Sequence, residues 1–159
     1  MIDENGYRPN VGIVVVNHDQ QVLWAQRSQR DDAWQFPQGG VDGDETAEEA
    51  MFRELHEEIG LTANDVSILA VTDEWLRYKL PKKYIRFRSK PLCIGQKQKW
   101  FLLLLKSDDS AVNLNVCDKV EFKDWKWVDY WHPVKHVIQF KQKVYQQALK
   151  EFAPVIFGK

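Results

Sequence analysis

Three carboxylates, Glu54, Glu57 and Glu58, stand at i, i+3 and i+4. On a helix with 3.6 residues per turn this spacing confines them to an arc of about 100°. Like charges on one stripe destabilise a helix by roughly several tenths of a kcal/mol per pair, so a compensating charge is expected. A hard divalent cation fits: Mg²⁺ takes oxygen ligands, uses only a few carboxylates, and completes its shell with water and substrate phosphates. Mn²⁺ accepts the same kind of site. Arg53 lies one turn before Glu57 and can hold that carboxylate in place. The alternative is a solvated acidic helix face, which is the reading for Glu48 and Glu49. Upstream, Gly39-Gly40 leaves backbone bare enough for a carbonyl to reach a cation and for phosphate to approach. Glu45 falls at the helix start, where it complements the positive end of the dipole.

The helix itself is announced by local chemistry. Thr46 with Glu49 three residues on makes a capping box. Met51, Leu55 and Ile59 supply an apolar stripe, and Gly60 stands where a helix ends. Elsewhere, Val11–Val16 reads as a buried strand and His18-Asp19-Gln20 as a turn into a second strand, Val22–Ala25. Trp34-Gln-Phe36 alternates before Pro37 and Gly39-Gly40 break the pattern. Val66–Thr72 reads as a strand, and a long loop or irregular hairpin containing Pro81 and Pro91 follows. Trp100–Leu105 is a buried strand, Ser107–Ser110 a turn and Lys126–Val128 a short strand. One helix is expected from Pro133 to Phe152, with Val137, Phe140, Val144, Ala148 and Phe152 along one face. Strands flanked by two helices make the class α/β or α+β, in a single domain over residues 1–159 with no repeat and no linker.

The chain of 159 residues carries a net charge of −1, 44% hydrophobic and 28% charged residues, which is the composition of a globular protein rather than a disordered one and gives no overall pull toward nucleic acid. The distribution is more telling. From Trp75 to Ser107 there is no Asp or Glu, while Arg77, Lys79, Lys82, Lys83, Arg86, Arg88 and further lysines crowd the same stretch. An acidic focus beside a basic stretch suits a polyanion held through divalent metal on one side and Lys/Arg on the other; a solvated basic loop is the alternative. Cys93 and Cys117 have neither disulfide-framework nor zinc spacing. The acidic start, Met1-Ile-Asp-Glu4, has no apolar core of a signal peptide, and the apolar runs are too short to span a bilayer. A cytoplasmic protein with no membrane partner is expected, and a monomer, since no heptad asks for a partner.

Gly39, Glu45, Arg53, Glu54, Leu55, Glu57, Glu58, Gly60 and Leu61 match every fixed position of G-x5-E-x7-R-E-U-x-E-E-x-G-U. Chance agreement at average residue frequencies is on the order of 10⁻⁹. On these residues the chain resembles the Nudix hydrolases. The resemblance implies a mixed β-sheet sandwiched between α-helices and hydrolysis of a nucleoside diphosphate linked to another group. It also implies that Glu54, Glu57, Glu58 and the Gly39 carbonyl ligate Mg²⁺ or Mn²⁺, with more than one ion. Tyr7–Gly12, Trp34–Gly40, Trp75–Tyr78 and Ile94–Phe101 are further similar to the bacterial RNA 5′-pyrophosphohydrolases, and the same framework is similar to plant-type diadenosine tetraphosphate hydrolases. The basic stretch and Gln139-Phe140-Lys141 favour the RNA enzymes. The loop Ser28 to Ala33 departs from their pattern by one extra residue.

From this resemblance come the remaining assignments. Glu54 is the general base, Arg53 steadies the carboxylates, and Glu121 completes the metal site. Arg8 and Arg27 meet phosphate or RNA, Tyr78 and Phe140 contact bases, and Lys99 and Lys141 contact phosphates. Phe140 fits the apolar face of the last helix equally well. His18, His56, His132 and His136 receive no role. The expected reaction converts a single-stranded RNA 5′-triphosphate to a 5′-monophosphate with release of pyrophosphate, promoting RNA decay, with no role for DNA. Two rivals stand beside it: a dinucleoside polyphosphate hydrolase sharing the catalytic box, and a Nudix domain without catalysis that senses a nucleotide or binds RNA. Three intact carboxylates argue against the second.

Overall fold

The computed structural model describes residues 1–158. The strands are β1 (Tyr7–Val16), β2 (Gln21–Arg27), β3 (Trp34–Gln35), β4 (Gln38–Gly40), β5 (Val66–Val71), β6 (Leu76–Lys79), β7 (Gly95–Leu105) and β8 (Phe122–Asp129). The helices are α1 (Ala47–Ile59), α2 (His132–His136) and α3 (Gln142–Phe157). β1 and β7 run parallel at the centre, in register from Tyr7 opposite Gly95 to Val16 opposite Leu104. Every other pairing is antiparallel: β1 with β2 and β4, β2 with β3 and β8, β7 with β5 and β6. The sheet is thus mixed, as the resemblance to the Nudix hydrolases implies.

A strand buried on both faces reads as a continuous apolar run, and β1 is one. Val11, Ile13 and Val15 point to one side, where Ala50, Met51, Leu55 and Ile59 of α1 cover them. Val14 and Val16 point to the other, where Val144, Tyr145, Ala148, Leu149 and Phe152 of α3 close the layer. Helices therefore sandwich the sheet. The capping box at Thr46 and Glu49 forms in both directions, and Gly60 ends α1 with φ 75°, a left-handed conformation that favours glycine. No helix among the described residues is long and apolar enough to cross a membrane.

Three departures from the sequence reading matter for the site. Gly39-Gly40 is no break: it is β4, paired to β1 with Val11 opposite Gly39. The glycines interrupt the side-chain pattern but not the hydrogen bonding. The basic stretch forms a hairpin, one of the two forms expected for it; the departure is that β7 begins at Gly95, ahead of Trp100, and so takes β6 as partner. Its polar start hides buried chemistry: Gln98 donates to Asn10 Oδ1 at 2.8 Å and accepts from Trp100 Nε1 at 3.1 Å.

The helix expected from Pro133 to Phe152 is two. Val137 and Ile138 take extended backbone, and a single 3₁₀ turn, Gln139–Lys141, precedes α3. Two consecutive β-branched residues weaken a helix. Here the break lets Val137 bury while Phe140 turns toward Tyr78 and Tyr84, with ring centroids 5.8 Å from each.

Tyr145 ties α3 to the strand segment ahead of the site. Its hydroxyl, fully buried, accepts the Phe36 N–H at 3.0 Å. Tyr145→Phe strands that donor, and a buried unmet N–H costs about 1–3 kcal/mol. Urea unfolding of the variant is expected to show a loss in that range with an unchanged m-value.

Candidate active site

Arg53 organises one end of the site. Its guanidinium donates to Glu45 through Nε at 2.7 Å and Nη2 at 2.9 Å, to the Gly40 carbonyl at 2.7 Å, to Glu54 at 2.6 Å and to Glu57 at 3.3 Å. The i, i+4 contact to Glu57 is present, but the two-pronged bond to Glu45 is the tighter one. Glu45 in turn accepts the Asp42 N–H at 2.8 Å. Its Arg53 partner holds the Glu45 carboxyl down at about 2. Glu45 therefore does more than complement a helix dipole. It locks the loop from Gly40 to Glu45 onto α1.

Glu54 and Glu58 lie side by side, one turn apart. Burial raises the pKa of Glu54, against the pull of Arg53, and raises that of Glu58 further, with the Glu54 and Glu121 charges adding to it. Glu58 is only 7% exposed. It accepts the Gln38 N–H at 3.2 Å. A Cβ on Gly39 would land on the Glu54 carboxylate, so only glycine lets β4 pass this close. Glu54, Glu57, Glu58 and Glu121 line a trench of about 310 Å³, with Cys117 and Lys119 on its far wall.

Among the described residues no three acidic, histidine or cysteine side chains are gathered closely enough to hold an ion as they stand; Arg53 occupies one oxygen each of Glu54 and Glu57. The donor set nonetheless suits Mg²⁺ or Mn²⁺. It is all oxygen, carries excess negative charge at low dielectric, and has a bare backbone beside it.

The trench adjoins a second cavity of about 890 Å³ across Gln38. The Gln38 backbone holds Glu58, while its side chain meets Tyr78 Oη at 3.5 Å and accepts Lys141 Nζ at 3.1 Å. Lys141 also donates to Gln35 at 3.4 Å. It is buried, and burial, with Arg27 nearby, lowers its pKa to about 8. Tyr78 is raised to about 12 by burial. Arg27, Tyr78, Phe140 and Lys141, separated by up to 114 positions in the chain, all line this cavity.

Arg8 and Lys99 do not. Arg8 is exposed on β1 and outside both lining sets. Lys99 donates to the carbonyls of Thr72 and Asp73, at 3.2 and 2.8 Å, fastening the β5–β6 connection. Sequence reading also missed several lining residues: Gln35, Gln38, Tyr84, Arg86 and Gln96. Gln96 carries a buried Oε1 without a hydrogen-bond partner. No spacing marks these residues, because the sheet brings them together. Arg30, Asp32 and Ala33 of the Ser28–Ala33 loop line the cavity as well.

A capped carboxylate helix, a glycine strand against it and a mixed sheet between helices define a class. The NUDIX domain matches residues 6–151, and the chain belongs to the Nudix family. It is 60% identical over 154 residues to an RNA pyrophosphohydrolase of Shewanella piezotolerans, covering 97% of this chain and 88% of that one. It is 59% identical over 155 residues to the RNA pyrophosphohydrolase of Aliivibrio salmonicida, covering 98% and 91%. Among solved structures, the E. coli dihydroneopterin triphosphate pyrophosphohydrolase aligns with TM-score 0.71 at 22% identity, over 91% of this chain and 98% of that one. A C. elegans Ap4A hydrolase complex aligns with TM-score 0.63 at 24% identity, over 94% and 99%. At these identities the structural likeness speaks for the fold.

The acid pair has a pH signature. Glu58 has a folded pKa above its ordinary 4.5, so the native state binds more protons than the unfolded chain above that pH. Its stabilising contribution is complete below 4.5 and is lost as pH rises through the folded value. Chelator-treated protein is therefore expected to be less stable to urea at pH 7.5 than at pH 5 on this account. Glu58→Gln should flatten the difference. Equal slopes in the two proteins would contradict it.

Proposed function

We propose that this protein is a divalent-metal-dependent RNA 5′-pyrophosphohydrolase of the cytoplasm, acting as one Nudix unit over residues 1–159. The observation that carries the reading is the join at Gln38 between a carboxylate trench and a cationic, aromatic cavity. Near-full-length identity of about 60% to proteins named RNA pyrophosphohydrolase supports the substrate. Free thiols at Cys93 and Cys117 agree with a reducing compartment.

In this reading Glu54, Glu57, Glu58, Glu121 and the Gly39 carbonyl hold Mg²⁺ or Mn²⁺, more than one ion in all. Bound ions supply neutralising charge at the phosphate oxygens and make a water molecule more acidic. Glu54 accepts the proton of the attacking water, while Arg53 keeps its carboxylate in place at 2.6 Å. The water oxygen bonds to phosphorus, the α–β anhydride P–O bond breaks, and its electron pair leaves with pyrophosphate. The RNA keeps a 5′-monophosphate, the form that promotes decay.

Lys141 and Arg27 meet the phosphates. A phosphate beside Lys141 restores the charged ammonium that burial disfavours. Tyr78 and Phe140 flank the first bases, where stacking on one base is worth about 1–3 kcal/mol.

Purified protein with Mg²⁺, a short 5′-triphosphorylated RNA and diadenosine tetraphosphate in parallel tests the proposal. Conversion of RNA ends to monophosphate is expected, and Glu54→Gln should lower it about 10²–10⁴-fold, the usual contribution of a positioned base. Turnover of the dinucleotide alone would overturn the substrate assignment and leave the Nudix chemistry standing.

A further inference from the structure

The segment between Leu80 and Ile94 closes on itself. The Leu80 N–H donates to the Ile94 carbonyl at 2.9 Å, and short turns at Tyr84 and Ser89 brace the interior. Lys82, Lys83, Arg86, Arg88 and Lys90 are all exposed on it. Among the described residues none of these five makes an ion pair. Phe87 stands among them at 64% exposure and Tyr84 at 43%. Unneutralised charge and an exposed phenyl ring on one loop are unfavourable for the free protein and complementary to a single-stranded polyanion with π-faces.

The loop is continuous with the cavity. Tyr84 and Arg86 line its wall. Tyr84 packs against Phe140 with ring centroids 5.8 Å apart, and Lys83 Nζ sits 5.2 Å from the Tyr84 ring centre. Phe87 and Arg88 follow Arg86 directly, one Cα step of about 3.8 Å at a time.

We propose that the Pro81–Pro91 loop is a second RNA-binding surface, which carries the nucleotides downstream of the catalytic cavity by phosphate contacts from Lys82, Lys83, Arg88 and Lys90 and base stacking on Phe87. The inference rests on the RNA reading of the active site and extends it from the 5′ end to the following strand. The loop makes the enzyme favour long single-stranded ends over small nucleotides, which have no downstream nucleotides to lay on it.

The test compares wild type, Phe87→Ala and Lys83→Ala/Arg88→Ala on three substrates: 5′-triphosphorylated RNA of two nucleotides, the same 5′ sequence extended to twelve unpaired nucleotides, and diadenosine tetraphosphate. Binding of 5′-monophosphorylated 12-mer is followed in parallel by fluorescence anisotropy over a salt series without Mg²⁺, and circular dichroism checks folding. Wild type is expected to show a lower KM for the 12-mer than for the 2-mer. Phe87→Ala should weaken 12-mer binding about fivefold or more, the low end for loss of one stacked base. The double variant should reduce the slope of log K against log salt by about 1.4, two phosphate contacts on a single strand.

Equal KM values for the two RNAs in wild type, with an unaltered salt slope in the folded double variant, would overturn the loop assignment and leave the pyrophosphohydrolase reading intact. Failure of wild type to convert either RNA while cleaving the dinucleotide would overturn both.

Discussion

Two neighbouring carboxylates held out of water set the terms for this molecule. Glu54 and Glu58 occupy adjacent turns of α1 against a sheet that leaves them little solvent, and burial disfavours both charges, with the Glu54 charge adding to the effect on Glu58 and the Glu57 charge adding to that on Glu54. A buried charge is tolerated only when something answers it. Arg53 answers part, but it also serves Glu45, Glu57 and the Gly40 carbonyl. The remainder is an open demand for positive charge, placed where Gly39 and Gly40 of β4 have no side chains to block access. Much of the surrounding fold maintains this arrangement: the capping box starts α1 at a fixed residue, and Glu45 and Arg53 pin the loop to the helix.

The same constraint joins the trench to the cavity. Gln38 touches Glu58 through its backbone and Lys141 through its side chain, so one residue of β4 belongs to both compartments. A buried ammonium and a buried carboxylate thus sit on opposite sides of one strand. The break at Val137–Ile138 makes this possible, because it delivers Phe140 and Lys141 to the cavity on a short turn. An unbroken helix would have kept Phe140 on an apolar stripe, the other reading its spacing allowed.

What was legible in the sequence is what short-range chemistry encodes. Thr46, Glu49, the Met51–Leu55–Ile59 stripe and Gly60 define α1 through capping and periodicity, and the Glu54, Glu57, Glu58 triplet follows from helical geometry. β1 and the end of β7 are apolar runs that can only be central. The rest depends on pairing at a distance. β4 exists because β1 offers it hydrogen bonds, and β6 because β7 extends back to Gly95. The Glu45–Arg53 bond needs the loop to fold over the helix, and Gln35, Gln38 and Gln96 become cavity residues only once the strands are in register. Lys99 is a case of the same kind: its charge is visible in sequence, but the two carbonyls it donates to are not.

The role proposed for the acid trench of α1 is to take a divalent ion. The most direct measurement is anomalous diffraction from crystals grown with Mn²⁺ in place of Mg²⁺. A peak is expected within bonding distance of Glu54 and Glu58 oxygens, close to the Gly39 carbonyl, and absent in Glu54→Gln/Glu58→Gln protein. Ordered crystals at saturating Mn²⁺ with no peak in the trench, or with peaks only at surface carboxylates elsewhere, would contradict it.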